Sequence, residues 1–479
     1  MVPSKGFRIP KEIVSFFNNP GGHSLILRGG PGAGKTTLAL QTIEDMAETE
    51  RGYYISTRVS DSSLFPQFPW LKERMEQTLT EDDRGDPRAA LNGLKGIEEQ
   101  TIGEGEITLT LGRELQELEA IFERVEENLP QRSLVVIDSL DAMAEKYEIP
   151  CHRLMNVLQG NLVEKMGANL LIVLESQEGQ LDYMGDGVID LSSKEIHRRR
   201  LREMDIHKLR GCEIEQPKYM FTLSGGKMMS FGGDWSGGLH IPDGWEPLPD
   251  QGEMVSTGIS DLDRMLGGGL ERGSITMIEL GEGIPTSITQ AIETSLVLNF
   301  AASGRGVLWS PLRKSSPEGM RNLVSRGLPQ GEFDALVKVP AVASQLDSFE
   351  ANFVLPVEGS DASADLDWRT VEYRMQGAQR PILSLMGFDT IESIYGREVM
   401  DQLMDHLASV KSRREVFVGL VAPSSRSREQ LADLANNHIR IERIGGTILL
   451  YGEEPFTECN VISFGRRERG GWVQLTPIV

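Results

Sequence analysis

The stretch Leu25-Ile-Leu-Arg-Gly-Gly-Pro-Gly-Ala-Gly-Lys-Thr-Thr37 limits what this chain can fold into more than any other. An apolar run leads into Gly29-x4-Gly34-Lys35-Thr36, and Leu38-Ala-Leu40 continues with a helical pattern. Strand, glycine loop and helix follow in the order a phosphate-binding loop requires. Its glycines allow a tight turn whose successive N–H groups aim at phosphate oxygens. Lys35 supplies a point charge for β- and γ-phosphates, and the Thr36 hydroxyl can ligate Mg²⁺. The expected nucleotide-binding set is Gly29, Gly30, Pro31, Gly32, Ala33, Gly34, Lys35, Thr36 and Thr37, with ATP and Mg²⁺ as cofactors.

At 479 residues the chain is too long for one ordinary core. Its formal net charge is −22, from 71 acidic against 49 basic residues, which disfavours non-specific binding to DNA or anionic lipid. No apolar run is long enough to span a bilayer, and the N-terminus lacks a signal-peptide core. Cys151, Cys212 and Cys459 lie far apart and form no metal-type spacing. A cytoplasmic protein with no membrane partner is expected.

Short apolar runs at 24–28, 52–57, 133–138 and 169–175 are separated by enough chain for helices, and 113–125 carries apolar residues at helical spacing. This alternation predicts a parallel sheet covered on both faces. Residues 82–105 are polar and read as an exposed loop. Composition shifts to Gly- and Ser-rich over 224–252, which reads as a linker. The plan then restarts with strands at 274–280, 307–310, 381–389 and 416–421, and a glycine loop at 281–287. An internal duplication is predicted, with domains 1–223 and 253–479.

Asp138 ends the apolar strand Leu134-Val-Val-Ile-Asp138, where a carboxylate faces the ligand crevice of an open α/β sheet and can hold Mg²⁺ together with Thr36. The loop, Ile-Asp138-Ser139, Asp186-Gly-Val-Ile189 and Ile206-His-Lys208-Leu-Arg210-Gly211 occur in the order seen in RecA/KaiC-type ATPases, which the chain resembles. The opening of the second half, Ser256-Thr-Gly-Ile…Leu-Gly-Gly-Gly-Leu270, is a further signature of that group. The resemblance implies two tandem RecA-like α/β domains in a homo-oligomer. It also implies that Lys208 and Arg210 reach the γ-phosphate of a neighbouring subunit, neutralising charge as an arginine finger does.

Two departures from the group shape the expected activity. Its members place a glutamate just after the second strand, to activate water. Here Thr57, Arg58, Val59 and Ser60 follow, with no carboxylate until Asp61; Glu175, after the fourth strand, could help orient water. Slow or conditional hydrolysis is expected. The loop at 281–287 lacks a lysine and carries Pro285, which removes an N–H donor. Asp389 reads as the counterpart of Asp138. Aligning Gly452 with Gly211 sets Leu449 and Tyr451 against Lys208 and Arg210, so the second domain reads as degenerate.

Residues 7–17 and 20–25, with Val59-Ser-Asp-Ser-Ser-Leu and Gln67-Phe-Pro-Trp-Leu71, resemble the archaeal gas-vesicle regulatory family GvpD. Its members are ATP-loop proteins with arginine-rich patches that restrain gas-vesicle genes by engaging the activator GvpE. The resemblance implies an ATP-binding repressor whose partner is a transcription activator of that type. Arg198, Arg199, Arg200 and Arg202 would serve as a docking patch or subunit clamp, or form a solvated rim. The run Arg466-Arg-Glu-Arg469 is a second basic cluster or a solvated turn. The alternatives are a KaiC-like oligomeric ATPase or autokinase and a RecA-like recombination accessory protein. The acidic balance and the lack of basic–aromatic interleaving argue against direct DNA binding.

Overall fold

A computed structural model describes residues 9–56, 68, 70, 116–175, 179–232, 241, 245–343, 352–375, 377–465 and 472–479. The loop expected at 82–105, the positions 57–61 after the second strand and the cluster 466–469 lie outside the described residues. The chain divides into two compact units, 1–232 and 233–478.

In the first unit, α1 (Lys11–Asn18), β1 (Ser24–Gly29), α2 (Lys35–Met46) and β2 (Arg51–Ser56) precede α3 (Gln116–Glu127), β3 (Ser133–Asp138), α4 (Leu140–Lys146) and α5 (Cys151–Leu158). Then follow β4 (Asn169–Val173), β5 (Gly187–Ile196), β6 (Arg199–Leu209), β7 (Lys218–Thr222) and β8 (Met229–Phe231). They form one eight-stranded sheet in the order β2-β3-β4-β1-β5-β6-β7-β8. The first five strands of that order are parallel, and the rest are antiparallel. The predicted strands are thus observed nearly residue for residue.

The continuous apolar runs exist because both faces are covered. Leu25, Leu27, Val136 and Val173 pack on one face with Phe16, Phe17 and Leu38. Ile26, Val135, Ile137 and Ile172 pack on the other with Leu118, Ile121 and Val125, the apolar positions read at helical spacing. Each large side chain so buried contributes roughly 1.5–3 kcal/mol. Residues 224–232, read from sequence as linker, belong to the first sheet: β8 pairs with β7, and Phe231 lies opposite Met220. The glycines there make a turn, with Gly225 and Gly226 both at φ +73°.

The second unit contains β9 (Met254–Val255), α6 (Ser260–Met265), β10 (Leu270–Glu271), β11 (Ile275–Leu280), α7 (Thr286–Ala302), β12 (Arg305–Ser310), α8 (Pro317–Val324), α9 (Gln330–Leu336), β13 (Val337–Val342) and β14 (Val354–Val357). It continues with α10 (Ala362–Asp365), α11 (Trp368–Arg374), β15 (Gln379–Gly387), α12 (Phe388–Tyr395), α13 (Val399–Arg413), β16 (Val416–Val421), α14 (Arg428–Leu434) and β17 (Asn437–Ile444). It ends with β18 (Thr447–Glu454), β19 (Asn460–Phe464) and β20 (Val473–Pro477). Its ten-stranded sheet runs β14-β13-β12-β15-β16-β11-β17-β18-β19-β20. Without β13 and β14, this is the order of the first sheet strand for strand, as the predicted duplication requires. Both units are α/β sheets flanked by helices. Among the described residues, no helix is long and apolar enough to cross a membrane.

Candidate functional site

The glycine loop joins the C-terminal end of β1 to the N-terminus of α2, where the helix directs its free N–H groups and positive dipole end toward any anion. Gly29 has φ +155°, and a Cβ there would stand 2.4 Å from the Leu191 carbonyl oxygen, so no larger residue fits. Gly34, at φ +102°, is the residue from which α2 starts. Lys35 Nζ donates to the carbonyls of Gly29 (2.5 Å) and Gly30 (3.1 Å), folding its charge back over the loop. Pro31 and Gly32 are exposed, while Ala33 and Thr37 are buried beneath. A helix N-terminus with free N–H groups and an ammonium folded over the loop before it fits the phosphates of a nucleotide.

Asp138 stands at the end of β3 beside the loop. Its Oδ2 accepts from Thr36 Oγ1 at 2.7 Å and from the Tyr54 hydroxyl, on β2, at 2.9 Å. Burial and the neighbouring Asp138 carboxylate hold the Tyr54 phenol above its ordinary range, so at neutral pH it is a proton donor. Among the described residues, no group of three or more His, Cys, Asp or Glu could hold a metal ion. A hydroxyl and one carboxylate beside a phosphate loop are what Mg²⁺ needs when substrate phosphates and water complete its shell. Glu175 follows β4 at the same end of the sheet, and its N–H donates to Asp141 Oδ2 at 2.5 Å.

The hairpin β5–β6 divides the basic residues into three groups. Its tip is His197-Arg198, both left-handed (φ +51° and +63°), the turn that suits the strand twist. Arg198 and Arg200 are exposed. Arg199 and Arg202 are 4% and 7% exposed, which corrects the reading of the whole run as one surface patch. Arg202 instead donates to the Gly32 carbonyl of the loop at 2.8 Å. It can do so because it pairs with Ser193, two residues beyond the partner of Gly29.

Lys208 and Arg210 lie at the other end of the sheet. Lys208 pairs with Val188, which pairs with Ile26, three residues before Gly29. That is about 10 Å along the strand and about 10 Å across it at ordinary sheet spacings. Lys208 Nζ donates to the Gly185 and Asp182 carbonyls, and Arg210 bridges Asp186 at 3.2 Å. Burial, then the Arg210 charge, lowers the Lys208 pKa. Neither cation reaches its own loop.

Sequence reading missed Arg28, Tyr54 and the loop contact of Arg202. Arg28 is a buried cation on β1, bonded to Asp190 (2.7 and 3.0 Å) and to Asp182 (2.9 Å). An arginine inside Leu-Ile-Leu-Arg was the available signal for it. Tyr54 gave no signal, because its partner is set by pairing of β2 with β3.

Register also decides what became of the second copy. Leu25 and Thr276 are equivalent, since each pairs with the first residue of the next strand (Gly187, Asn437). Gly34, Lys35 and Thr36 then correspond to Pro285, Thr286 and Ser287, and α7 starts at Thr286 as α2 does at Lys35. Asp138, paired with Val173, corresponds to Gly387, paired with Leu420. Asp389 is therefore not its counterpart: β15 ends at Gly387, and Asp389 lies in the first turn of α12, accepting from the Arg313 and Thr390 N–H groups. Lys208, opposite Val188, corresponds to Glu454, opposite His438, so the alignment with Leu449 and Tyr451 is corrected as well. The degeneracy itself stands, and the Arg28–Asp190 pair recurs with its charges exchanged as Glu279 and Arg440, 3.7 Å apart.

Residues 13–207 match the family model of the GvpD gas vesicle protein P-loop domain, and residues 244–352 match GvpD basic region 2. Protein GvpD2 of Halobacterium salinarum is 27% identical over 470 residues, covering 94% of this chain and 92% of that protein. Protein GvpD1 of the same organism is 23% identical over 536 residues, covering 98% and 96%. The circadian clock oscillator protein KaiC 1 of Synechocystis is 24% identical over 364 residues, covering 70% of this chain and 63% of its own. With a P-loop domain, a basic region 2 and near full-length similarity all of one kind, the chain is homologous to the GvpD proteins over nearly its whole length, on a RecA/KaiC-type framework.

Proposed function

We propose that this protein is a nucleotide-switched repressor of gas-vesicle genes. ATP with Mg²⁺ at the first unit sets its state, and a transcription activator of the GvpE type reads that state by direct contact. The loop 29–37 would hold the phosphates, and Thr36 and Asp138 the metal. The observation that carries this reading is the asymmetry between two copies of one fold. Gly34, Lys35 and Asp138 in the first stand against Pro285, Thr286 and Gly387 in the second. A fold retained without its phosphate chemistry serves most simply as a binding surface or assembly platform.

Hydrolysis in this reading is slow and conditional, for want of a carboxylate directly after β2; Glu175 would orient the water. Lys208 and Arg210 would act on the nucleotide of a neighbouring copy in a homo-oligomer, and their distance from their own loop supports this. Arg198 and Arg200 would offer planar donors to acidic side chains of the partner. The protein would work in the cytoplasm, without binding DNA itself. Calorimetry tests the core of the proposal. One ATP should bind per chain, and Lys35→Ala should bind little. Two sites per chain, or full retention after that change, would overturn it.

A further inference from the structure

We propose that Tyr54 is a positioning residue for the metal site: it fixes the Asp138 carboxylate and so sets the Mg²⁺ requirement of nucleotide binding. The inference rests on the nucleotide reading above and goes beyond it, because phosphate-loop chemistry does not itself call for a phenol.

Two hydroxyls donate to the same oxygen, Asp138 Oδ2: Thr36 from the loop and Tyr54 from the neighbouring strand. They are not equivalent. Thr36 would divide its hydroxyl between two tasks, a lone pair to Mg²⁺ and its hydrogen to Asp138. Tyr54 has no such second task. Its ring is half-buried, and pairing of Tyr54 with Val135–Ile137's strand through Val136 holds it beside Asp138. It therefore donates to the carboxylate whatever Thr36 does at the metal, keeping the carboxylate in one orientation toward the ion or its water. Outer partners that orient a metal-binding carboxylate commonly account for about 10–100-fold in metal affinity.

The second copy of the fold supplies an internal comparison. The register that equates Asp138 with Gly387 equates Tyr54 with Trp309. Trp309 directs its Nε1 to Glu293 rather than toward the end of β15. Carboxylate and phenol are thus replaced together where the loop lysine is also gone, as expected if the phenol serves the carboxylate. Arg202 is absent there too, its register position being held by Ile448.

The test uses the full chain and a fluorescent ATP analogue, titrated with Mg²⁺ after chelation. Tyr54→Phe keeps the ring and removes only the hydroxyl. Its affinity for metal-free nucleotide should stay within about twofold of the parent, while the Mg²⁺ midpoint should rise about 10-fold or more. In an Asp138→Asn background, adding Tyr54→Phe should shift the midpoint no further, because the phenol acts through the carboxylate. An unchanged midpoint in Tyr54→Phe overturns the inference. So do equal losses with and without Mg²⁺, or additive shifts in the double variant. Lys35→Ala is the separate control: undiminished nucleotide binding there would refute the nucleotide site itself rather than the role of Tyr54.

Discussion

Replacing Glu293 by glutamine should remove most of the alkaline destabilisation of the second unit. Glu293 lies in α7 with no exposed surface. It accepts from Trp309 Nε1 (3.3 Å), the Leu312 N–H (3.0 Å) and the Ser315 hydroxyl. Burial raises its pKa from an ordinary 4.5 to about 7; the hydrogen bonds oppose this, and the Asp389 carboxylate adds to it. A folded pKa above the unfolded one means that the contribution is fully present below about pH 4.5 and is lost as pH rises through about 7. At about 1.36 kcal/mol per pH unit, the loss reaches about 3 kcal/mol at alkaline pH, of which about 2 kcal/mol falls between about pH 5.5 and 8.5. Denaturant unfolding at those two pH values, followed through tryptophan fluorescence, reads it directly. The parent should lose about 2 kcal/mol in the transition of this unit, and Glu293→Gln should lose little of that. An equal pH dependence in both proteins would refute the reasoning.

Four further outcomes follow from the geometry. Gly29→Ala should destabilise the first unit by roughly 2–4 kcal/mol through collision with the Leu191 carbonyl. Gly32→Ala, with open space around its Cβ position, should cost about 1–2 kcal/mol; thermal unfolding compares the two. Mixing Lys35→Ala chains with Arg210→Ala chains should restore hydrolysis that neither shows alone, and no recovery in confirmed mixed oligomers would count against action between subunits. Arg198→Glu with Arg200→Glu should abolish repression in a reporter assay and leave ATP binding intact. Arg202→Met should weaken ATP binding about 10-fold or more, since a charge-assisted bond to the loop is lost.

Much of the site was legible because a phosphate loop is local. Its glycines, lysine and threonine are contiguous, and each is required by the backbone path from β1 to α2. Asp138 was legible for a related reason, since an apolar run ending in aspartate marks a strand end. The same rule misread Asp389: apolar character continues past the end of β15 into Phe388, and only the pairing of Gly387 with Leu420 locates the true strand end. Arg202 could not be separated from its neighbours in Arg-Arg-Arg-Leu-Arg by composition. Its contact with Gly32 depends on how far β6 runs antiparallel to β5.

The sequence by itself determined the α/β class, the duplication, the intact first loop and the loss of lysine in the second, because these depend on residue type and short-range periodicity. Tertiary structure decided everything that depends on strand register. It set Tyr54 against Asp138, brought Arg202 to the loop, and separated Lys208 and Arg210 from it. It also matched Asp138 with Gly387 and placed β13 and β14 at the edge of the second sheet. The physical reason is that a one-residue slip between strands sends every side chain to the opposite face. Register is fixed by packing across the whole sheet, which no local stretch of sequence contains.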